Sequence, residues 1–150
     1  MARTATFDTT QGIIVAQLTE DDAPLTTANF IELAEKGFYN GLTFHRYVAG
    51  FVIQGGDPDG NGSGGSGKNI KGEFRDNGVP NSGKHDAAGV LAMARSGDPN
   101  SASSQFYFTL APAPHLDSGY AVFGKVTSGL DAVMALREGD KINSVTISGS

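Results

Sequence analysis

The 150-residue sequence contains no cysteine and no long apolar run. Without cysteine, disulfide frameworks and thiolate metal sites are excluded. No stretch approaches the roughly 20 apolar residues that a helix needs to cross a bilayer, and the first residues lack the apolar centre of a secretory signal. We therefore expect a soluble, cytoplasmic protein with no membrane partner.

Neither sign of charge dominates the sequence. Sixteen acidic residues against eleven basic ones give a net charge of −5. This modest acidic surplus argues against nucleic acid or an anionic membrane as the main partner. The chain has the size of one ordinary domain, and no repeat or linker divides it. We expect a single domain over residues 1–150, and a monomer.

Two common signatures of catalysis or metal binding are also missing. His45, His85 and His115 are too widely spaced for the i, i+4 pair of a helical metal site. No G-x-S-x-G elbow marks a nucleophilic serine. We therefore expect no metal, no other cofactor and no serine hydrolase chemistry.

Glycine is abundant, and eight of the 21 glycines lie in residues 55–72. Gly62–Lys68 fits the phosphate loop G-x-x-x-x-G-K, but Asn69 follows where Ser or Thr is required, and no helix is expected there. Asp57–Gly62 matches the first half of a calcium loop, but Lys68 stands at position twelve, where a bidentate glutamate is required. We interpret this segment as a solvated loop, with nucleotide binding and calcium binding as alternatives.

Hydrophobic periodicity predicts eight strands and two helices. Apolar residues in the segment 23–37 recur with helical spacing, and a shorter helix is expected at Leu130–Arg137. Because the strands outnumber the helices and do not alternate with them, we expect an antiparallel barrel or sandwich. The predicted strands are Thr4–Asp8, Ile13–Leu18, Leu42–Val48, Phe51–Gln54, Gly89–Arg95, Ser104–Leu110, Ala121–Thr127 and Ile142–Ser148.

A charged residue stands among apolar ones in residues 44–54. Arg46 is flanked by Phe44, Tyr47, Phe51 and Val52. An exposed charge on a strand is the ordinary explanation of such an arginine. Its apolar surroundings make it, in addition, a candidate functional residue.

A later strand has two contrasting faces. Gln105, Tyr107 and Thr109 alternate with Phe106 and Phe108, so the first three share one face and the two phenylalanines the other. The phenylalanine face is expected in the core. The other face is either a half-exposed sheet surface or part of a site.

Taken together, these segments resemble the cyclophilin family of peptidyl-prolyl isomerases, most closely its compact bacterial members. The resemblance spans nearly the whole chain, and five linked motifs in the right order make it specific. The matching strings are Phe44-His45-Arg46, Gly50-Phe51 with Gln54-Gly55-Gly56-Asp57, Gly89-Val90-Leu91-Ala92-Met93-Ala94, Ser104-Gln105-Phe106, and Leu116-Asp117 with Val122-Phe123-Gly124-Lys125-Val126.

The resemblance implies a mainly β fold, an eight-stranded antiparallel β-barrel closed by two α-helices, and a site on it. Arg46 matches the catalytic arginine. The positions that match the proline pocket are Phe51, Val52, Tyr107 and Leu116. The positions that match groups along the substrate backbone are Gln54, Gln105, Ala94 and Arg95. The implied partners are proline-containing peptides and flexible or unfolded polypeptides.

Four positions depart from the commonest family pattern. Arg95 stands where Asn is usual, and Tyr107 replaces Phe and adds a hydroxyl at the pocket. His115 replaces the Trp, and Tyr120 the His, of many eukaryotic members. We expect Arg95 to matter little if only its backbone bonds the peptide. The changes at the pocket rim predict weak cyclosporin binding more than weak catalysis.

The chemistry of proline isomerisation explains why an arginine is needed. Rotation about an X–Pro bond breaks no covalent bond but must cross a barrier of about 18–20 kcal/mol, set by the double-bond character of the amide. A guanidinium can donate to the nitrogen of the twisted amide while keeping its charge. A proline-peptide binding module without turnover is the alternative from another functional class; it would need the pocket but not Arg46.

Overall fold

A computed structural model describes residues 3–60, 64–81, 84–96, 98–117 and 119–148, without the side chain of His115. Eight strands of these residues form one sheet, in the order β3-β4-β6-β5-β7-β2-β1-β8, in which every neighbouring pair is antiparallel. The strands are β1 Thr4–Thr9, β2 Gly12–Leu18, β3 Phe44–Val48, β4 Val52–Gly55, β5 Val90–Met93, β6 Phe106–Thr109, β7 Val122–Ser128 and β8 Ile142–Ser148. The helices are α1 Pro24–Glu35 and α2 Leu130–Ala135, and short 3₁₀ turns lie at Arg75–Asn77 and Pro114–Leu116.

The sheet curls until its two outer strands, β3 and β8, approach each other. The seam is an isolated bridge between Thr43 and Lys141 rather than a full ladder. Backbone bonds beside it join Gly41 and Ile142 at 2.7 Å and Phe44 and Asp140 at 2.8 Å. The predicted eight-stranded antiparallel fold with two helices is therefore confirmed, with a barrel that a few bonds hold at the seam.

All eight predicted strands are present, but β5 and β6 are shorter than expected. The strand predicted over Gly89–Arg95 ends at Met93, and the one predicted over Ser104–Leu110 begins at Phe106. The Ala94 N–H still donates to the Gln105 carbonyl at 3.0 Å, so pairing continues for one residue and then stops. Arg95 therefore lies just beyond a strand end.

The main core fills the inside of the curled sheet with aromatic rings. Phe30 of α1 contacts Phe7, Phe106 and Phe123 with ring centroids 5.1–5.8 Å apart. Such offset and edge-to-face contacts add to the free energy gained by burying the rings. Phe106 and Phe108 belong to this cluster, whereas Tyr107 belongs to a smaller cluster elsewhere, as the alternation along β6 predicts.

The glycine-rich segment 55–72 is less exposed than predicted. Its first three residues and Gly72 are buried, although 58–60 and 67–69 are exposed. The close approach of other backbone explains the burial: a Cβ on Gly56 would lie 2.6 Å from the Ser104 carbonyl oxygen. The phosphate-loop and calcium-loop patterns both run through residues 61–63, which lie outside the described residues.

The carboxylate of Glu73, the residue after Gly72, holds the first turn of α1. Ala23 at the start of the helix supplies no side-chain cap. Instead the buried Glu73 accepts bonds from the N–H groups of Leu25, at 3.1 Å, and Thr26, at 2.5 Å. A negative charge at this end of a helix also complements its dipole. Among the described residues, neither helix is long and apolar enough to cross a membrane.

Candidate active site

A cavity of about 220 Å³ opens beside strands β3, β4 and β6. It brings together nine of the eleven residues predicted for the site. They are Arg46, Phe51, Val52, Gln54, Ala94, Arg95, Tyr107, Leu116 and Tyr120. Gln105 lines a neighbouring cavity instead. The backbone of His115 lies in the 3₁₀ turn at Pro114–Leu116, but its side chain lies outside the described residues.

The inner wall of this cavity, which we call the proline cavity because the residues predicted for the proline pocket line it, is apolar. Val52, Tyr107 and Leu116 belong to the smaller hydrophobic cluster and are at most 9% exposed. Phe51 and Tyr120 pack on that cluster as partly buried residues. The ring of Tyr120 meets that of Tyr107 edge-on, with centroids 6.1 Å apart. A small saturated ring placed here would contact carbon on several sides.

Arg46 lies at the edge of this apolar wall and is held by a chain of side-chain amides. It is exposed on β3, opposite Gln54 on β4. Its Nη1 donates to Gln54 Oε1 at 3.3 Å, and Gln54 Nε2 donates to Gln105 Oε1 at 2.8 Å. Gln105 Nε2 then donates to the Gly64 carbonyl at 2.8 Å.

The direction of this chain follows from its two ends. The Gly64 carbonyl can only accept, so Gln105 must present its NH₂ group to it and its oxygen to Gln54. Gln54 in turn presents its oxygen to Arg46, which can only donate. Each amide therefore has one productive orientation, and the chain limits the positions open to the guanidinium.

Side chains of α1 and of the segment after it hold the backbone that leads into β6 and carries Gln105. The side-chain amide of Asn29 donates to the Ser103 carbonyl at 2.8 Å, and the Tyr39 hydroxyl donates to the Ser104 carbonyl at 2.9 Å. The Ser104 hydroxyl donates in turn to the Gly56 carbonyl at 2.7 Å. Complete burial raises the pKa of Tyr39, so its hydroxyl keeps the proton that it donates.

Arg95 lines the proline cavity, and its side chain makes several contacts there. Its guanidinium lies 4.8 Å from the ring centroid of Phe74 and 4.9 Å from that of Tyr120. Its Nε donates to the Gly119 carbonyl and its Nη1 to the Ser96 carbonyl, both at 2.9 Å. These contacts place a second cation on the rim of the cavity. The Ala94 N–H is already donated to Gln105, so a peptide at this edge has to use other backbone groups.

His85, which the sequence predicts to be an ordinary histidine, is connected to the site through Tyr107. Its Nε2 lies 2.8 Å from the Tyr107 hydroxyl, and its Nδ1 lies 2.8 Å from Asp117 Oδ1. The one hint in the sequence is the hydroxyl that Tyr107 adds at a position where Phe is usual, since a buried hydroxyl needs a partner.

Groups that could bind a metal ion do not converge in the described part of the chain. No three residues of the types His, Asp and Glu lie close enough there to hold an ion together. The half-buried His45 lies on β3, and this burial lowers its pKa.

Comparison with known proteins identifies one family. The family model described as cyclophilin type peptidyl-prolyl cis-trans isomerase/CLD matches residues 4–149. Peptidyl-prolyl cis-trans isomerases of Helicobacter pylori and Synechococcus elongatus are 46% and 45% identical to this chain, over 97% and 95% of it and 87% and 94% of their own lengths.

Solved structures give the same assignment. The crystal structure of a cyclophilin type peptidyl-prolyl cis-trans isomerase of Cryptosporidium parvum matches with a TM-score of 0.89 and 29% identity, over 100% of this chain and 99% of that one. A structure of that protein in the presence of the dipeptide Ala-Pro matches with a TM-score of 0.87. The chain therefore belongs to the cyclophilin family and is a peptidyl-prolyl cis-trans isomerase.

Proposed function

We propose that this isomerase accelerates rotation about X–Pro bonds by holding the proline ring in the apolar cavity while Arg46 stabilises the twisted amide. The observation that carries the proposal is the position of Arg46. Its guanidinium shares one cavity with the buried side chains of Val52, Tyr107 and Leu116. A cationic donor and a wall for the proline ring thus stand side by side.

The electrostatics of the amide give Arg46 its role. In the planar amide the nitrogen lone pair is delocalised into the carbonyl, and that delocalisation sets the barrier. At the twisted geometry the lone pair is localised on nitrogen and can accept a hydrogen bond. A guanidinium stabilises this geometry more than the planar one, which is the condition for lowering the barrier.

The amide chain supports this role by orienting Arg46 before the substrate binds. A free arginine side chain loses about 2 kcal/mol of conformational entropy when it is fixed in one position. The bond to Gln54, itself held by Gln105 and Gly64, restricts the side chain in advance. Fewer conformations are then lost in the transition state.

Substitution of Arg46 tests the proposal and separates it from a binding module without turnover. We expect Arg46→Ala to lower kcat/KM for an X–Pro peptide by about 10²–10³, the usual loss for one preorganised donor. Arg46→Lys should also be poor, because an ammonium lacks the planar fork of donors. The fold should survive, because the side chain is exposed.

Lys125→Ala is the matched control, because it removes one positive charge from an exposed position on β7. It should keep kcat/KM within about twofold of the unsubstituted chain, as expected of a surface change away from the site. Full turnover by Arg46→Ala would contradict the mechanism. Absence of turnover in the unsubstituted chain, with peptide binding retained, would favour the binding module.

The same proposal extends to the cellular role. An open, shallow apolar cavity that takes one ring suits proline in many flexible polypeptides, so we propose that the enzyme assists protein folding. Refolding of a protein limited by X–Pro isomerisation should then be faster in its presence, and slower again with Arg46→Ala. The cytoplasmic location and the monomeric state expected from the sequence belong to this proposal.

A further inference from the structure

A buried histidine and an aspartate lie behind the apolar wall of the proline cavity. His85 is 0% exposed and lines neither the proline cavity nor the cavity beside it. Its Nε2 is 2.8 Å from the Tyr107 hydroxyl, and its Nδ1 is 2.8 Å from Asp117 Oδ1. The same Oδ1 accepts the backbone N–H of His85 at 2.6 Å. The rings of His85 and Tyr107 are inclined by only 20°.

The charge on Asp117 determines where the protons of this group lie. Burial by itself raises the pKa of Asp117, but the two hydrogen bonds from His85 together with nearby positive charge, including that of Arg75, outweigh it, and the net shift is downward. An ionised carboxylate can only accept, so Nδ1 of His85 must carry a proton. In the neutral imidazole Nε2 is then an acceptor, and the Tyr107 hydroxyl donates to it.

This arrangement removes the polar end of Tyr107 from the proline cavity. Tyr107 is 4% exposed, and burial raises its pKa well above the ordinary value, so the hydroxyl keeps its proton. The hydroxyl donates its hydrogen bond to an imidazole that solvent does not reach. The cavity is left with the carbon face of the ring, as it would be with phenylalanine, and the hydrogen bond fixes the direction of the ring.

We propose that His85, held by Asp117, is a positioning residue of the isomerase that fixes Tyr107 as the wall against which the proline ring rests. The inference rests on the proposed function, because it assigns the cavity to the proline ring. His85 touches no substrate. Without it, the Tyr107 hydroxyl loses its acceptor and must turn toward another, which places a polar group in the apolar wall.

A double-variant cycle with an X–Pro tetrapeptide tests this inference. His85→Leu strands the Tyr107 hydroxyl, so we expect KM to rise about tenfold with kcat within about threefold, the pattern of lost uniform binding. In the Tyr107→Phe background no hydroxyl remains to be stranded, and adding His85→Leu should change KM by less than about twofold. His85→Gln, whose amide oxygen can accept from Tyr107, should recover most of the loss caused by leucine.

Two controls separate positioning from simple loss of stability. Val133→Ala, a truncation in the core of α2, should lower the melting temperature without raising KM. If His85→Leu does not fold, ¹⁵N NMR of the unsubstituted chain still decides, since the proposal requires the imidazole proton on Nδ1. A proton on Nε2, with or without one on Nδ1, overturns the proposal, as does an equal effect of His85→Leu on KM with and without the Tyr107 hydroxyl.

The double-variant cycle still tests the positioning role if the proposed function is wrong. Turnover by the unsubstituted chain tests the function, whereas the coupling between His85 and Tyr107 tests the positioning role. The same coupling should be present in the Kd of the tetrapeptide, measured without turnover. Coupling in Kd with no turnover would retain the positioning role and reject the catalytic one.

Discussion

The contribution of Arg46 depends on the residues that hold it. An exposed arginine on a strand is common and needs no functional explanation. Here the guanidinium is the last donor in a chain that starts at the Gly64 carbonyl and passes through Gln105 and Gln54. Because every member has one productive orientation, the loss of any amide should disorder Arg46. The unit to consider is therefore the chain of four groups rather than the arginine alone.

The position of His115 leads to a prediction about cyclosporin. The resemblance implies that the Trp which matches His115 in many eukaryotic members offers the drug an indole donor and a broad apolar face. An imidazole provides less of both, so we expect binding to be weaker by about 2–3 kcal/mol, or about 30- to 150-fold. His115→Trp should tighten inhibition by a similar factor, measured as inhibition curves at pH 8. Tight and equal inhibition of both forms would show that residue 115 does not contact the drug.

At the scale of the elements, α1 and the loops around it hold the backbone segment that leads into the site. Asn29 and Tyr39 bond to the segment that leads into β6 and Gln105. Glu73 bonds to the first turn of α1, and the side chain of Asn81 donates to the Glu73 carbonyl at 2.9 Å. Glu73 thus helps to position α1, and α1 in turn helps to position the segment that carries Gln105.

Removal of the Glu73 carboxylate should destabilise the protein. Glu73→Ala leaves the N–H groups of Leu25 and Thr26 without their acceptor, and the Thr26 bond is buried. We expect a loss of about 1–3 kcal/mol in the free energy of unfolding, measured by urea denaturation. Glu138→Ala, at an exposed position, is the matched control and should change it by less than about 0.5 kcal/mol. Equal stability of the two variants would exclude the capping role.

The features of these elements that could be predicted from the sequence are those that follow a regular alternation along a strand. The alternation of β6 places Phe106 and Tyr107 on opposite faces, and the positions of Arg46 and Gln54 follow from neighbouring strands. Glu73 and His85 could not be predicted, because their loops follow no period and their partners lie 47 and 22 residues away. The burial of residues 55–57 was missed for the same reason. Contacts made by loops depend on the folded path of the chain.

At the scale of the whole molecule, one sheet carries both the main core and the candidate site. Its concave side buries the aromatic cluster around Phe30 and Phe106. The smaller cluster, which includes Val52, Tyr107 and Leu116, lines the proline cavity. Because the same strands carry both clusters, the large core fixes the backbone on which the site is built. A rigid scaffold of this kind keeps side chains near a productive geometry.

The pKa shifts across the molecule predict loss of stability in acid. Burial lowers the pKa of His45, and the hydrogen bond and charge of Arg3 lower that of Glu20. The pKa values of Asp117 and Asp140 are also lowered, because hydrogen bonds outweigh the opposing effect of burial. In each case the unfolded chain binds more protons as the pH falls, so acid favours unfolding.

Urea denaturation at several pH values measures this effect. The free energy of unfolding should fall first below about pH 6.5, where His45 of the unfolded chain takes up a proton. It should fall further below about pH 4, as the carboxylates are protonated. His45→Asn should reduce the first step and leave the second. A free energy of unfolding that stays constant or rises between pH 7 and pH 4 would contradict these assignments.

The most direct test of the role of Arg46 is the cis–trans exchange rate of an X–Pro peptide bound to Arg46→Ala, measured by NMR at saturating peptide. Saturation removes any difference in affinity, so the rate reports on the bound peptide alone. We predict that Arg46→Ala still binds the peptide in the proline cavity but exchanges it about 10²–10³ times more slowly than the unsubstituted chain. Equal exchange rates in the two bound forms would show that the cavity alone accelerates rotation and that Arg46 does not.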